Sequence, residues 1–378
     1  MMPMRKQSAI ATRSFSRFKQ TGLSLIELMV GLTIGLMLTL GLFTLISSQS
    51  QSFKVQDDFA RMQENGTFAL RAIGESLRMA GFYGYKKTTA GVTVISAVTT
   101  SGDCGSGGNP PATNWALDTQ TPIFGFTGLT PLTVSGVLPC IGATNFVAGP
   151  ILVTRSVNGF RIPDPNGDGN LADGLAAQFN FTTALYLQSS PYTGVIFLGN
   201  DFTTQKAAGN TLATATGADF DIFEYRAHVY FIRPCSRAAS GACAATDDGG
   251  NPIPTLARME LVGSAMTEVP LVEGIERVNY AFGIDDLPAL TPDGVPDRFV
   301  AAPTAAEWTN VVAVRVTVLV RAPTITPGYS DATKQYDLDG DGAIDFDCTV
   351  AGGTACNYKR KVFSQIFQLR NIAQRRGA

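Results

Sequence analysis

One apolar run constrains this chain more than any other feature. From Leu23 to Ile46 there are 24 residues with Glu27 as the only charge and no proline. As a helix the run would measure about 36 Å, enough to cross a hydrocarbon core of about 30 Å. Five basic residues and no acid precede it, at Arg5, Lys6, Arg13, Arg17 and Lys19. Without those five, 24 Lys and Arg stand against 31 Asp and Glu, a net −7. The asymmetry predicts residues 1–22 on the cytoplasmic side and the acidic remainder outside. A secretory signal peptide has a shorter apolar core and a small-residue cleavage site, whereas this run is long and ends in "SSQSQSF". A carboxylate at a membrane centre costs about 2.5–3.5 kcal/mol, less near the interface. Glu27 is therefore a functional candidate, and buried in a membrane or an assembly it needs a partner.

Composition bears on the remainder. Hydrophobic residues make up 45% and charged residues 16% of 378, with 39 Gly and 20 Pro, which suits a loop-rich β protein of one large domain or two ordinary ones. A formal charge of −2 leaves no nucleic-acid footprint, so no nucleic-acid partner is expected. The clusters Lys359–Lys361 and Arg375–Arg376 read as a solvated face or as salt bridges between subunits. The six cysteines, Cys104, Cys140, Cys235, Cys243, Cys348 and Cys356, form no C-x-x-C pattern. Paired disulfides in an oxidising compartment fit them best. Fifteen pairings exist on sequence grounds; short loops favour Cys235–Cys243 and Cys348–Cys356, leaving Cys104–Cys140.

Apolar positions go on recurring after Ile46. Phe59, Met62, Gly66, Leu70, Ile73 and Leu77 step by three and four, with Asp57, Arg61, Glu64, Arg71, Glu75 and Arg78 largely around them. One helix is predicted from about Leu23 to Ala80, with Gly81 as its C-cap. Strands follow. Val312, Val314, Val316, Val318 and Val320 share one face while Arg315 and Thr317 take the other, the alternation of a half-buried strand. Segments 151–157, 184–190, 194–200 and 220–235 read the same way. Between them lie Gly-, Thr- and Pro-rich loops, notably 86–118 with "SGDCGSGGNPPATN".

The junction "TGLSLIEL" resembles the type IV prepilin signature: a basic leader ending in Gly22, an apolar run, and a glutamate fifth after the glycine. The resemblance implies cleavage by a prepilin peptidase between Gly22 and Leu23 and N-methylation of Leu23. It also implies that Glu27 pairs with the terminal amine of a neighbouring subunit in a filament. Leu23 stands where most pilins have Phe, and a leader of 22 residues is long for the simplest of them. More narrowly, "RMQENGTFALRAIGESLRMAGFYGY", "LVEGIERVNYAFGID" (271–285), "WTNVVAVRVTVLVRAP" (308–323) and "YKRKVFSQIFQLRN" (358–371) resemble the PilW-type minor pilins.

That resemblance implies an α+β fold, a long N-terminal helix packed on a mainly antiparallel β-sheet body with long loop insertions. It divides the chain into a cleaved leader (1–22), a transmembrane and assembly helix (23–46), an amphipathic continuation (47–85) and a periplasmic body (86–378). The implied partners are other minor pilins, the major pilin, a prepilin peptidase, the inner-membrane assembly platform and a large tip adhesin. The implied location is the inner membrane, then the filament or its tip. Two alternatives stand beside it: a minor pseudopilin of a type II secretion system, which shares the anchor, and, of a different class, a surface or filament-tip adhesin or binding module using loops 86–150.

Two acidic loops suggest calcium. "YDLDGDGAIDFDC" (336–348) places Asp337, Asp339 and Asp341 at alternate positions before Gly342, then Asp345 and Asp347. This is the opening of an EF-hand-like loop, with Cys348 where the bidentate Glu belongs, so Asp345 or Asp347 would have to close the sphere. "DPNGDGNLADG" (164–174) offers Asp164, Asn166, Asp168 and Asp173. The competing reading is that both are good turn sequences. Catalysis has little to work with: His228 is the only histidine and lies in a strand pattern, and there is no P-loop, G-x-S-x-G or H-E-x-x-H. No enzyme is expected.

Overall fold

The structure is a computed structural model, and it describes residues 22, 24–86, 89–95, 98–105, 114–162, 183–199, 221–286, 292–352 and 354–376. The leader residues 1–21, Leu23 and the loop with Asp164, Asn166, Asp168 and Asp173 lie outside them. Helix α1 (Leu25–Met79) runs for 55 residues, and the chain forms two compact units, 1–56 and 57–378.

In the first unit every side chain of α1 from Leu25 to Ile46 is exposed. A helix apolar all round has nothing to bury against in water, and this one is long and apolar enough to cross a membrane. Its three hydroxyls are satisfied within the helix, as lipid requires: Thr33 donates to the Val30 carbonyl, Thr39 to those of Gly35 and Leu36, and Thr44 to that of Gly41.

In the second unit α1 buries Met62, Gly66, Ala69, Leu70, Ile73, Gly74, Ser76 and Leu77 along one stripe. Each large apolar side chain there contributes about 1.5–3 kcal/mol by leaving water. Phe59, expected on the stripe, is instead 43% exposed, with the Lys359 ammonium 5.4 Å from its ring centre. Gly81 follows at φ +74°, as a C-cap requires.

Two large sheets form most of the body, with a two-stranded third in the acidic loop. The larger joins β1 (Val92–Val94), β5 (Gly194–Leu198), β4 (Leu185–Ser189), β6 (Asp221–Arg233), β3 (Ile151–Ile162) and β2 (Ile123–Phe126), with β7 (Thr255–Val262) and β8 (Ala265–Glu273) added beside β6. The 13-residue β6 shares one edge between two partners: Asp221–Glu224 pair with β4 and His228–Arg233 with β7. The smaller sheet has the order β10 (Arg298–Val300), β9 (Ile275–Ile284), β11 (Val311–Arg321) and β14 (Arg360–Gln368), all antiparallel. One parallel pair, β1 with β5, departs from the antiparallel rule.

The stripe of α1 shares one core with Tyr230 and Ile232 of β6 and with Val314, Val316, Val318 and Val320 of β11. The alternation in β11 predicts a half-buried strand, but both of its faces are covered. Leu319, on the far face, packs on Leu338, Phe346 and Cys348, so the chain between β11 and β14 doubles back over the sheet. The insertion after α1 is likewise a packed layer: Trp115, Leu117, Leu138, Ile141 and Phe146 are buried against Val153, Val229 and Phe231. The Arg155 guanidinium sits 4.4 Å from the Trp115 ring centre. Cys104–Cys140 and Cys348–Cys356 close these two excursions, and Cys235–Cys243 closes the connection between β6 and β7.

His228 faces α1, where its Nδ1 lies 2.8 Å from the Ser76 hydroxyl. Burial, aided by Arg258 and Arg226, pushes the imidazole down to about 3. An unfolded imidazole takes its proton near pH 6.5. Stability from this site is thus complete above pH 6.5 and is lost progressively as pH falls toward 3. Between pH 7 and pH 5 the native protein is expected to lose about 2 kcal/mol more than His228→Gln in urea unfolding. Equal losses in the two proteins would contradict this account.

Candidate functional site

At the start of α1, Ser24 and Glu27 form a reciprocal cap. The Ser24 hydroxyl accepts from the Ile26 N–H at 3.3 Å, and Glu27 Oε2 accepts from the Ser24 N–H at 2.9 Å. This is the logic of the capping box, in which a glutamate three residues into the helix satisfies the N-cap amide. The signal for it, S-x-x-E in "SLIE", stands in the sequence at the head of the apolar run. Glu27 thus holds the first turn together with one oxygen. Among the described residues Oε1 has no recorded partner. An acid in the first turn also faces the positive end of the helix dipole.

The far end of α1 is held by the last helix, Arg370–Arg376. The Asn371 amide donates to the carbonyls of Arg78 at 3.1 Å and Ala80 at 3.3 Å, and Arg375 donates to that of Gly81. These are the carbonyls a helix end leaves without partners. Arg376 pairs with Asp285 at 3.2 Å and donates to its carbonyl at 2.8 Å. Arg375–Arg376 therefore acts within the chain, neither as a solvated face nor between subunits. In the other basic cluster Arg360 is buried against Glu276 and Asp331.

The acidic loop lies between β12 (Gln335–Tyr336) and β13 (Phe346–Asp347). Asp337, Asp339 and Asp345 each bring a carboxylate oxygen within 4.8 Å of the others. Asp337 also closes the turn, accepting from the N–H groups of Gly340 at 2.6 Å and Gly342 at 2.9 Å, which hold its carboxyl below the usual range. Burial, then the neighbouring Asp345, Asp341 and Asp337, push the Asp339 carboxyl up. Asp345 accepts from the Leu338 N–H at 2.6 Å. Asp341 and Asp347 stand apart from this group: Asp341 accepts from the Ala343 N–H at 2.7 Å, and Asp347 caps the short helix Cys348–Ala351 by accepting from Thr349. Three carboxylates make a hard-oxygen donor set of the kind calcium takes. The cluster Cys235, Cys243 and Asp247 offers no comparable site, because its two sulfurs are bonded to each other.

Two family models match the chain. The type IV pilus-assembly protein W model covers residues 229–371, and the prokaryotic N-terminal methylation motif covers 17–43. The first takes in the end of β6, β7 to β11, the acidic loop, β14 and the start of the last helix; the second takes in Gly22 and Glu27. Segment 61–85 and the insertion at 98–146 lie outside both. No curated protein and no solved structure matches. The methylation motif, the uncovered apolar helix and the pilus-assembly match over the smaller sheet support a PilW-family type IV pilus pilin with an N-terminal membrane anchor.

Proposed function

We propose that this chain is a minor pilin that joins or primes type IV pilus filaments through α1. In this reading a prepilin peptidase cuts between Gly22 and Leu23, and the new amine of Leu23 is methylated with its charge kept. Glu27 then pairs with the terminal amine of a neighbour when the helix leaves the bilayer. The observation that carries the reading is Glu27 at the head of an uncovered apolar helix, where one carboxylate oxygen accepts from the Ser24 N–H. A charge inside an assembled bundle persists only when paired.

The body stands in the periplasm while the helix spans the inner membrane, and its partners are other minor pilins, the major pilin, the assembly platform and a large tip adhesin. A minor pseudopilin would use the same anchor; the match over 229–371 favours the pilus. An adhesin acting through 86–150 is less well supported, because much of that insertion is core for the larger sheet. Its proper test is substitution at exposed Leu132, since deletion would strip the sheet.

Glu27→Ala is expected to insert into the membrane as well as the native chain and to enter filaments at least tenfold less. Immunoblots of sheared filaments against membranes read this directly, and equal incorporation would refute the role given to Glu27. Mass spectrometry should find methylated Leu23 as the first residue of the membrane form.

The acidic loop we read as a calcium site formed by Asp337, Asp339 and Asp345. Calorimetry on chelator-stripped protein should show calcium binding that Asp339→Ala removes. Affinity should rise with pH, because the raised Asp339 carboxyl must lose its proton first. Absence of heat in the native protein would end this reading.

A further inference from the structure

The edges of the two sheets are not equally protected. β1, β2 and β10 are edges of three or four residues. β8 has nine, but it carries Pro270 and its ladder to β7 shifts register at Leu256–Ala257. Short length, proline and bulges are the usual devices that keep sheet edges from pairing with other chains. β14 has none of them. It runs nine residues from Arg360 to Gln368 in unbroken register with β11, and no described strand lies on its other side.

The direction of its backbone groups follows from the ends of the ladder. Ala322 N–H donates to the Lys359 carbonyl and Leu369 N–H to that of Val312, both at 2.8 Å. Odd-numbered residues of β14 therefore bond to β11, and by alternation Val362, Ser364 and Ile366 turn their N–H and C=O groups outward. Their side chains lie on the face opposite α1, with Val362 39% and Ile366 55% exposed. On the α1 side the same strand is sealed by Phe363 and Phe367. The edge is an ordered template with open hydrogen-bonding groups and an apolar rim.

We infer that the outer edge of β14 receives an extended segment of a second, different chain as a fifth strand, with apolar residues opposite Val362 and Ile366 and an acid opposite Lys361. Charge selects this occupant over another copy. Lys359 lies over the rings of Phe59 and Tyr329, and Lys361 over that of Phe363. A parallel second copy would set Lys361 against Lys361, and like charges directly opposite destabilise a strand pair. An antiparallel copy fails differently. A reversed copy offers Lys361 no counter-charge, because β14 from Arg360 to Gln368 contains no acid.

The test places the photocrosslinker p-benzoylphenylalanine at Val362 or Ile366 of the full chain in native membranes and sequences the joined peptides. The expected adduct is a segment of another protein with alternating apolar residues and an acid within reach of Lys361. Ser364→Pro removes an outward N–H and leaves the β11 ladder intact. It should cut adduct yield at least tenfold relative to Ser364→Ala, which loses the same 2.9 Å bond to the Thr317 hydroxyl but keeps the outward N–H and the yield. Lys361→Glu should lower the yield as well, and it decides the matter should the proline variant prove unstable. An adduct of this chain with itself, no adduct at either position, or a yield unchanged by both Ser364→Pro and Lys361→Glu would overturn the inference.

Discussion

Arg360→Ala is expected to destabilise the body by about 4 kcal/mol, because truncation leaves buried carboxylates without their cation. The Arg360 side chain is fully enclosed. It binds Glu276 through two nitrogens, at 2.5 and 3.0 Å, and reaches Asp331 at 3.2 Å. It also donates to the carbonyls of Ala355 at 2.8 Å and Tyr358 at 3.2 Å. It therefore fastens the stretch before β14, together with the acidic loop, onto β9. Asp331 is held from its own side too. Burial alone would raise its carboxyl, but the hydroxyls of Tyr336 and Tyr329 and the Lys334 ammonium outweigh burial and keep it low. Such a group stabilises the fold above the ordinary carboxylate range, and the contribution is lost as pH falls through its depressed value. Urea unfolding of Arg360→Ala measures the loss. Removing both acids with the arginine, as Arg360→Met, Glu276→Met and Asp331→Leu together, should recover most of it. A loss below 1 kcal/mol for the single variant would mean that the network contributes little.

Gly66→Ala and Gly74→Ala should each lower stability by about 2 kcal/mol, opposite to what helix propensity dictates. In an isolated helix, alanine is better than glycine by about 1 kcal/mol. Here a Cβ on Gly66 would stand 2.5 Å from the Phe363 ring, and one on Gly74 closer still to the ring of Phe367. Neither aromatic can swing aside without leaving the core, and overpacking of this kind costs about 1–3 kcal/mol or more. Thermal unfolding of the two variants decides between propensity and packing by sign. Phe363→Leu should narrow the penalty at Gly66 while leaving that at Gly74 unchanged, since the rings are separate.

The glycines also mark where the sequence stops being readable. Their three- and four-residue spacing with Met62, Leu70, Ile73 and Leu77 places them on the buried stripe, but only β14 lying across the helix explains why that stripe needs two missing side chains. Phe59 shows the reverse: its spacing promised burial, and the helix leaves the core before reaching it. Val314, Val316, Val318 and Val320 were legible as one face of a strand. Burial of Leu319 was not, because it depends on a loop from further along the chain folding back. Arg375 and Arg376 looked like surface charges, and their partners, the Gly81 carbonyl and Asp285, are 294 and 91 residues away.

The amino-acid sequence alone determined the apolar segment long enough to span, the long helix and the strand-forming character of the body. All of these follow from patterns within one element, where period, charge and apolar length act locally. Tertiary structure decided which faces are buried and what the acidic loop brings together. It also decided that Arg360 is a core residue and that no described strand lies beyond β14 in its sheet. Those outcomes depend on contacts between segments tens to hundreds of residues apart, and no local pattern specifies which segments meet.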